Sequence, residues 1–338
     1  MREGKIRVLV IDDSILSREI LSRGLSTDPQ IEVVAKASDP FDARDKILTY
    51  EPDVITCDIE MPKMNGIEFV KKLIPQYPVP VIVVSSLSDA VFDALNAGAV
   101  DFVTKPNEQS AKSVEAVIND LINKVKIASK AKVRFKRVRD TATTDVPIRC
   151  DHKRIIGIGA STGGTEALFH VLKKLPPSIP GIVIVQHIPP VFSAMFADRM
   201  NTQTALNVKE AQDGDSVETG KVLIAPGDKH MRVKKIGDKY KVDVFMGNEV
   251  NGHRPSVDVL FDSMAAECGK SAVGVILTGM GQDGAKGILK MRNNGAITIG
   301  QDEKTSVVYG MPKIAYEIGG VERQLGLDDI PDMIINVY

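Results

Sequence analysis

The sequence predicts an α/β protein made of two doubly wound sheets in tandem, the first five-stranded and parallel, the second mostly parallel with a small antiparallel hairpin. Three observations predict it. Short β-branched runs alternate with amphipathic helical segments along most of the chain, the pattern of parallel sheets covered by helices. Many of these runs end in Asp, Ser, Lys or His, where a parallel sheet gathers its ligands. The length, 338 residues, is about twice the ~150 of an average domain.

Composition narrows the function. Hydrophobic residues make up 43%, enough for two cores, and a net charge of −1 gives no global field for nucleic acid or membrane. The three cysteines, Cys57, Cys150 and Cys268, lie far apart in no metal-ligand spacing, as expected in a reducing cytoplasm. There is no signal-peptide core and no run approaching ~18 apolar residues, so neither secretion nor membrane insertion is expected.

In the first half, Ile6 to Ile11 reads as a strand ending in Asp12-Asp13, and Ser14 starts a helix carrying Ile15, Ile20, Leu21 and Leu25. Glu32 to Ala35 is a second strand and Phe41 to Leu48 a second helix. Val54 to Cys57 is a third strand ending in Asp58, with Met61 to Gly66 the loop beyond. Val79 to Val84 ends in Ser85-Ser86, and Ala99 to Thr104 runs into Lys105-Pro106. Each polar strand end alone suits a cap or a surface turn. Together, three carboxylates at one sheet edge repel unless a hard cation such as Mg²⁺ neutralises them, and a lysine and a hydroxyl beside them suit a phosphoryl group.

From about Lys5 to Asn107 the chain resembles the receiver (flavodoxin-like) domain of response regulators. The resemblance implies Asp58 as phospho-acceptor, Asp12 and Asp13 as the pair that holds Mg²⁺ with it, and Lys105 as the phosphate's partner. It also implies Ser85 as the switch hydroxyl, with Ser86 one alignment step away, and Phe102 as the switch aromatic. The phosphodonor it implies is a phosphohistidine on a kinase.

Ala111 to Ile127 continues as a helix. Every charged residue from Lys124 to Arg139 is basic, eight of them, which reads as a solvated linker. The expected division is therefore a receiver over 1–123, a linker over 124–150 and a second domain over 151–338. No helix-turn-helix or aromatic-studded basic surface follows, so nucleic acid is not an expected partner.

The second half opens on Ile155 to Gly164, a buried strand breaking into glycines around Ser161. Gly159-Ala160-Ser161-Thr162-Gly163 fits the strained turn of a nucleophile elbow. Gly157-Ile158-Gly159 also opens a dinucleotide fingerprint, though its third glycine falls at Thr162, and a purely structural turn is the third option. The next strand, Ile182 to Gln186, decides between the first two. It ends in His187, where a dinucleotide fold wants an acidic residue for the ribose.

Val222 to Ala225 reads as a strand, Met231 to Val233 and Tyr240 to Val244 as a hairpin, and Val273 to Thr278 as a core strand. The last runs into Gly279 to Gly284 and a helix over Ala285 to Asn293, and Ala296 to Ile299 closes the sheet. Ser161, His187 and Asp283 then share one sheet edge, as a Ser-His-Asp triad requires. Their chain order differs from that of α/β-hydrolases. Asp262 and Asp302 are weaker candidates for the acid, lacking the glycine-flanked loop. His152, His170 and His230 read as structural or solvated, while for His253, in a polar loop before a helix, both that reading and a place lining the substrate cleft stay open.

With Gln186-His187-Ile188-Pro189-Pro190, Gly252 to Asp258 and Leu277 to Gly284 in sequence, this half resembles the chemotaxis protein-glutamate methylesterases (CheB family). The resemblance implies a cytoplasmic serine hydrolase that removes γ-glutamyl methyl esters from chemoreceptors as methanol and in many members deamidates receptor glutamines. It implies Ser161 as nucleophile, His187 as base then acid, Asp283 as orienter and the Met280 N–H as an oxyanion donor. No cofactor is implied for the esterase reaction. In that family the unphosphorylated receiver blocks the catalytic edge. A receiver joined to an oxidoreductase and a non-catalytic adaptor are the competing readings.

Overall fold

A computed structural model describes residues 4–62, 64–86, 90–105, 111–133 and 154–337. The chain divides into two compact units, Met1–Val138 and Arg139–Tyr338.

The first unit alternates strand and helix: β1 (Ile6–Ile11), α1 (Ile15–Leu25), β2 (Ile31–Ala37), α2 (Pro40–Tyr50), β3 (Val54–Asp58), α3 (Gly66–Leu73), β4 (Val81–Ser85), α4 (Ala90–Asn96), β5 (Asp101–Thr104) and α5 (Ala111–Ala128). Every strand pairing is parallel, in the order β2-β1-β3-β4-β5. The central strands β3 and β4 are buried along their whole length, which is why they appear as unbroken apolar runs. Side-chain caps start the early helices: Ser14 accepts from the Ser17 N–H, and Asp39 accepts from the N–H groups of Phe41 and Asp42.

Helix α5, expected over Ala111 to Ile127, ends at Ala128 and so runs into the stretch read as linker from 124. The basic run hides an apolar stripe in which Val125 and Ala128 are fully buried. The Lys124 ammonium turns inward to Asp101 at 3.1 Å and Asp120 at 3.6 Å instead of facing solvent. Most of the remaining expected linker lies outside the described residues.

The second unit comprises β6 (Ile155–Ala160), α6 (Gly164–Leu172), β7 (Ile182–Gln186), α7 (Pro190–Gln203), β8 (Asn207–Glu210), β9 (Lys221–Ile224), β10 (His230–Ile236), β11 (Lys239–Phe245), α8 (Val257–Glu267), β12 (Ala272–Ile276), α9 (Ala285–Asn293), β13 (Ile297–Gln301), α10 (Met311–Glu317), β14 (Arg323–Leu325) and α11 (Ile330–Asn336). Its seven-stranded sheet runs β14-β13-β12-β6-β7-β9-β8, parallel throughout, and β10-β11 form a separate antiparallel ribbon. The sheet does not close at β13, since β14 pairs beyond it and β8 forms the other edge. Both edge strands are short and half-exposed, and so lack the apolar run that marks the interior strands.

Two glycines of β6 position helix α8. A Cβ on Gly157 would lie 2.3 Å from the Met264 sulfur, and one on Gly159 would lie 2.2 Å from a Val257 methyl. They therefore serve close helix–sheet packing, which accounts for a glycine pair that is no dinucleotide fingerprint.

Candidate functional site: a serine triad and an acidic strand-end pocket

In the second unit, β6, β7 and the loop after β12 bring Ser161, His187 and Asp283 together. The His187 N–H donates to Ala160 O at 3.1 Å and the Ser161 N–H to Thr278 O at 3.0 Å, tying the three loops to one another. Gln186 adds a side-chain clamp: its Nε2 donates to Ser161 O at 2.9 Å and to His187 O at 3.1 Å.

The side chains form a continuous relay. His187 Nδ1 lies 3.2 Å from Ser161 Oγ, and His187 Nε2 lies 2.9 Å from Asp283 Oδ2. The ring is presented in the opposite sense from serine proteases, where Nε2 faces the serine. A proton on Nε2 shared with Asp283 leaves Nδ1 as the lone-pair acceptor facing the hydroxyl.

Asp283 is buried and heavily solvated by protein donors. Its Oδ1 accepts from Asn251 Nδ2 at 2.8 Å, Ser256 Oγ at 2.7 Å and the Asp258 N–H at 3.2 Å, and its Oδ2 also accepts from the Val257 N–H at 2.7 Å. The carboxylate thus occupies the N-terminus of α8, taking backbone donors that no helical carbonyl can reach. Burial opposes its charge, but the hydrogen bonds from His187, Asn251 and Ser256 and the imidazole's charge hold it well below the usual carboxylate range.

Gly279 abuts the nucleophile: a Cβ there would lie 2.7 Å from Ser161 Cβ. The next residue, Met280, is half-exposed, and its N–H has no hydrogen-bond partner among the described residues. His253, left open by its sequence context, stacks on His187 with ring centroids 3.8 Å apart and planes 13° apart.

The rival residues lie elsewhere in their contacts. Asp262 pairs with Lys290 at 2.6 Å on the surface, and Asp302 closes a turn by accepting from Thr305. His170 meets Asp328 at 2.6 Å, and buried His230 bridges Asn248 O and the Ser256 N–H. His152 lies outside the described residues. Gln186, Asn251 and Ser256 are functional residues to which the sequence assigns no role. Their only local signals are an Asn-Gly turn dipeptide and a serine before an apolar helix.

In the first unit, Asp12, Asp13 and Asp58 each offer an oxygen within 4.8 Å of the others. Lys105 Nζ reaches Asp58 Oδ2 at 2.5 Å and Asp12 Oδ2 at 3.3 Å. Asp12 accepts from Ser17 Oγ at 2.6 Å on Oδ2 and from the Ser14 N–H at 2.9 Å on Oδ1. Burial, with Asp12 adding to it, pushes the Asp58 carboxyl up despite Lys105. For Lys105, burial disfavours the ammonium, but its bond to Asp58 and the two carboxylates win and raise it. One ammonium among three carboxylates leaves an all-oxygen, net-negative cluster, which fits a hard divalent cation.

Ser85 is buried at the end of β4 and its carbonyl accepts from the Lys105 N–H at 2.7 Å, whereas Ser86 is exposed. Phe102 is buried edge-on against Phe92, with Lys124 Nζ 4.9 Å from its ring centroid.

Comparison with known proteins gives concordant matches for both units. The CheB methylesterase family model matches residues 156–334, and the response regulator receiver domain model matches residues 8–117. A protein-glutamate methylesterase/protein-glutamine glutaminase of Syntrophomonas wolfei is 52% identical, with 98% of this chain and 97% of the relative covered. One of Salmonella choleraesuis is 46% identical, with 98% and 97% covered. The Thermotoga maritima CheB methylesterase catalytic domain superposes with a TM-score of 0.54 at 40% identity, covering 55% of this chain and 98% of that one. The chain therefore belongs to the CheB methylesterase family, with a response regulator receiver domain preceding the methylesterase domain.

Proposed function

We propose that the protein is a phosphorylation-regulated serine hydrolase that demethylates γ-glutamyl methyl esters on chemoreceptors and deamidates receptor glutamines. The observation that carries the reading is the unbroken relay from Ser161 Oγ through His187 to a multiply hydrogen-bonded Asp283.

His187 Nδ1 removes the Ser161 proton as Oγ attacks the ester carbonyl, and Nε2–H stays on Asp283, which stabilises the imidazolium. The Met280 N–H, next to the glycine that abuts Ser161, receives the developing oxyanion. Methanol leaves with the proton from Nδ1. Water, deprotonated by the same nitrogen, then attacks the acyl-enzyme and releases the glutamate carboxylate and Ser161. A glutamine side chain follows the same course with ammonia as the leaving group.

Asp58 takes a phosphoryl group from a histidine kinase. Asp12, Asp13 and Asp58 are the residues that would hold Mg²⁺, which when bound offsets charge on the transferred phosphoryl oxygens. Lys105 pairs with the aspartyl-phosphate, and Ser85 and Phe102 respond to it. Regulation is inhibitory in the unphosphorylated state. No helix among the described residues is long and apolar enough to cross a membrane.

The test is methanol release from methylated receptor by wild type and Ser161→Ala, with and without a small-molecule phosphodonor and Mg²⁺. Release that needs Ser161 and rises with the phosphodonor is expected. No release by wild type from verified methylated receptor sinks the esterase reading. Deleting residues 1–140 should raise basal release, and unchanged or lower release would refute inhibition by the receiver.

A further inference from the structure

His253 has no part in the relay just described, yet its ring lies flat on the ring that does the proton transfer, 3.8 Å between centroids and 13° from parallel. We propose that His253 is a positioning residue: its neutral imidazole face holds the His187 ring in the plane shared by Ser161 and Asp283 and stabilises the imidazolium formed during catalysis. The inference rests on the hydrolase reading above and deepens it.

The local sequence explains the placement. Val250 and His253 exchange both backbone hydrogen bonds, at 3.1 and 3.0 Å, around Asn251-Gly252, whose φ angles are +54° and +75°. Two consecutive positive φ values in an Asn-Gly pair are the signature of a tight type I′ turn, the one two-residue loop that this dipeptide favours. The turn fixes two side chains at once. Asn251 Nδ2 reaches Asp283 Oδ1 and Asp258 Oδ2, both at 2.8 Å, and His253 Nδ1 meets Asn251 O at 2.8 Å.

A carbonyl partner accepts only, so Nδ1 of His253 carries a proton, and in the neutral ring Nε2 keeps the lone pair. Burial and the neighbouring His187 both favour the uncharged form and lower its pKa, against weaker pulls from Asp283, the Asn251 carbonyl and Glu249. A neutral π face against a cation is attractive, whereas a second cation there would oppose proton transfer to His187. The turn therefore supports both ends of the imidazolium: Asn251 holds the carboxylate that accepts its Nε2–H, and His253 covers its face.

The experiment compares His253→Ala and His253→Phe in the full chain, each activated with phosphodonor and Mg²⁺, by kcat and KM for methanol release and by the rate at which a fluorophosphonate labels Ser161. His253→Ala should lower kcat and the labelling rate about tenfold, the size expected of one desolvated cation–π contact, with KM nearly unchanged. His253→Phe should recover most of both rates, because it restores an aromatic face that carries no charge. Wild-type rates in His253→Ala overturn the proposal, as does a Phe variant as slow as the Ala variant while both keep the wild-type melting temperature. Failure of the underlying hydrolase reading is separate: it shows as an inactive, unlabelled wild type.

Discussion

Replacing Asp283 with asparagine isolates the carboxylate's charge from its shape. The carboxylate accepts from five groups: His187 Nε2 and the Val257 N–H at Oδ2, and Asn251, Ser256 and the Asp258 N–H at Oδ1. An amide offers one oxygen and one NH₂, so in either orientation the NH₂ must face donors. If it faces His187, the ring can meet it only by moving its proton to Nδ1, which then points at Ser161 and can no longer accept a proton. If it faces the other side, Asn251, Ser256 and the Asp258 N–H lose their acceptor. Each unmet buried donor costs about 1–3 kcal/mol. We therefore expect kcat to fall by about 10⁴, as an enforced wrong tautomer does in a triad, together with a lower melting temperature. The assay is methanol release from activated enzyme, with near-ultraviolet circular dichroism to verify that the variant is folded. A folded Asp283→Asn variant within tenfold of wild-type kcat would refute the reasoning.

Other predictions follow from the same contacts. Gly159→Ala should destabilise the second unit by about 1–3 kcal/mol in chemical denaturation and reduce activity, because the new methyl displaces the start of α8 that holds Asp283; an unaffected midpoint contradicts this. Burial pushes Glu166 up from 4.5 to about 7, with Arg199 opposing. The cost of ionising it is absent below pH 4.5, grows as pH rises and is complete above about 7. Glu166→Gln should therefore match wild type at pH 4.5 and below and become progressively more stable than wild type as pH rises to 7 and beyond in urea melts, whereas a gain confined to acid would reverse the assignment. Asp58→Asn should abolish the response to phosphodonor without lowering the melting temperature at neutral pH, since it removes one of the clustered carboxylates; EDTA should silence the response of wild type in the same way.

The interior of both sheets was legible because strands buried on two faces must be continuously apolar, as in Val81 to Ser85 and Ala272 to Ile276. The residues at their ends were legible for the same reason: a polar group stopping such a run has few places to go but the sheet edge. Edge strands escaped notice because Asn207 to Glu210 and Arg323 to Leu325 are short, partly exposed and carry polar side chains to match. The end of α5 was legible to within one residue, Ile127 against Ala128, but its basic last turn reads as linker because lysines such as Lys124 fold their ammonium groups inward.

Within the triad, the identities of Ser161, His187 and Asp283 were visible as strand-end residues, but the sense of the His187 ring was not. Which nitrogen faces Ser161 depends on a rotamer set by tertiary contacts, and sequence spacing carries no trace of it. The support around Asp283 was equally hidden. Asn251, Ser256 and the α8 backbone converge on it from a turn and a helix start about 30 residues before it, and only the packing of α8 against β6 brings them there.

Whether Ser161 is an activated nucleophile is read most directly by covalent trapping. Activated full-length protein would be treated with a fluorophosphonate, digested and read by mass spectrometry. One adduct, on Ser161, is expected, forming far more slowly in Asp283→Asn. A wild-type protein that demethylates receptor while Ser161 stays unmodified and dispensable would contradict it.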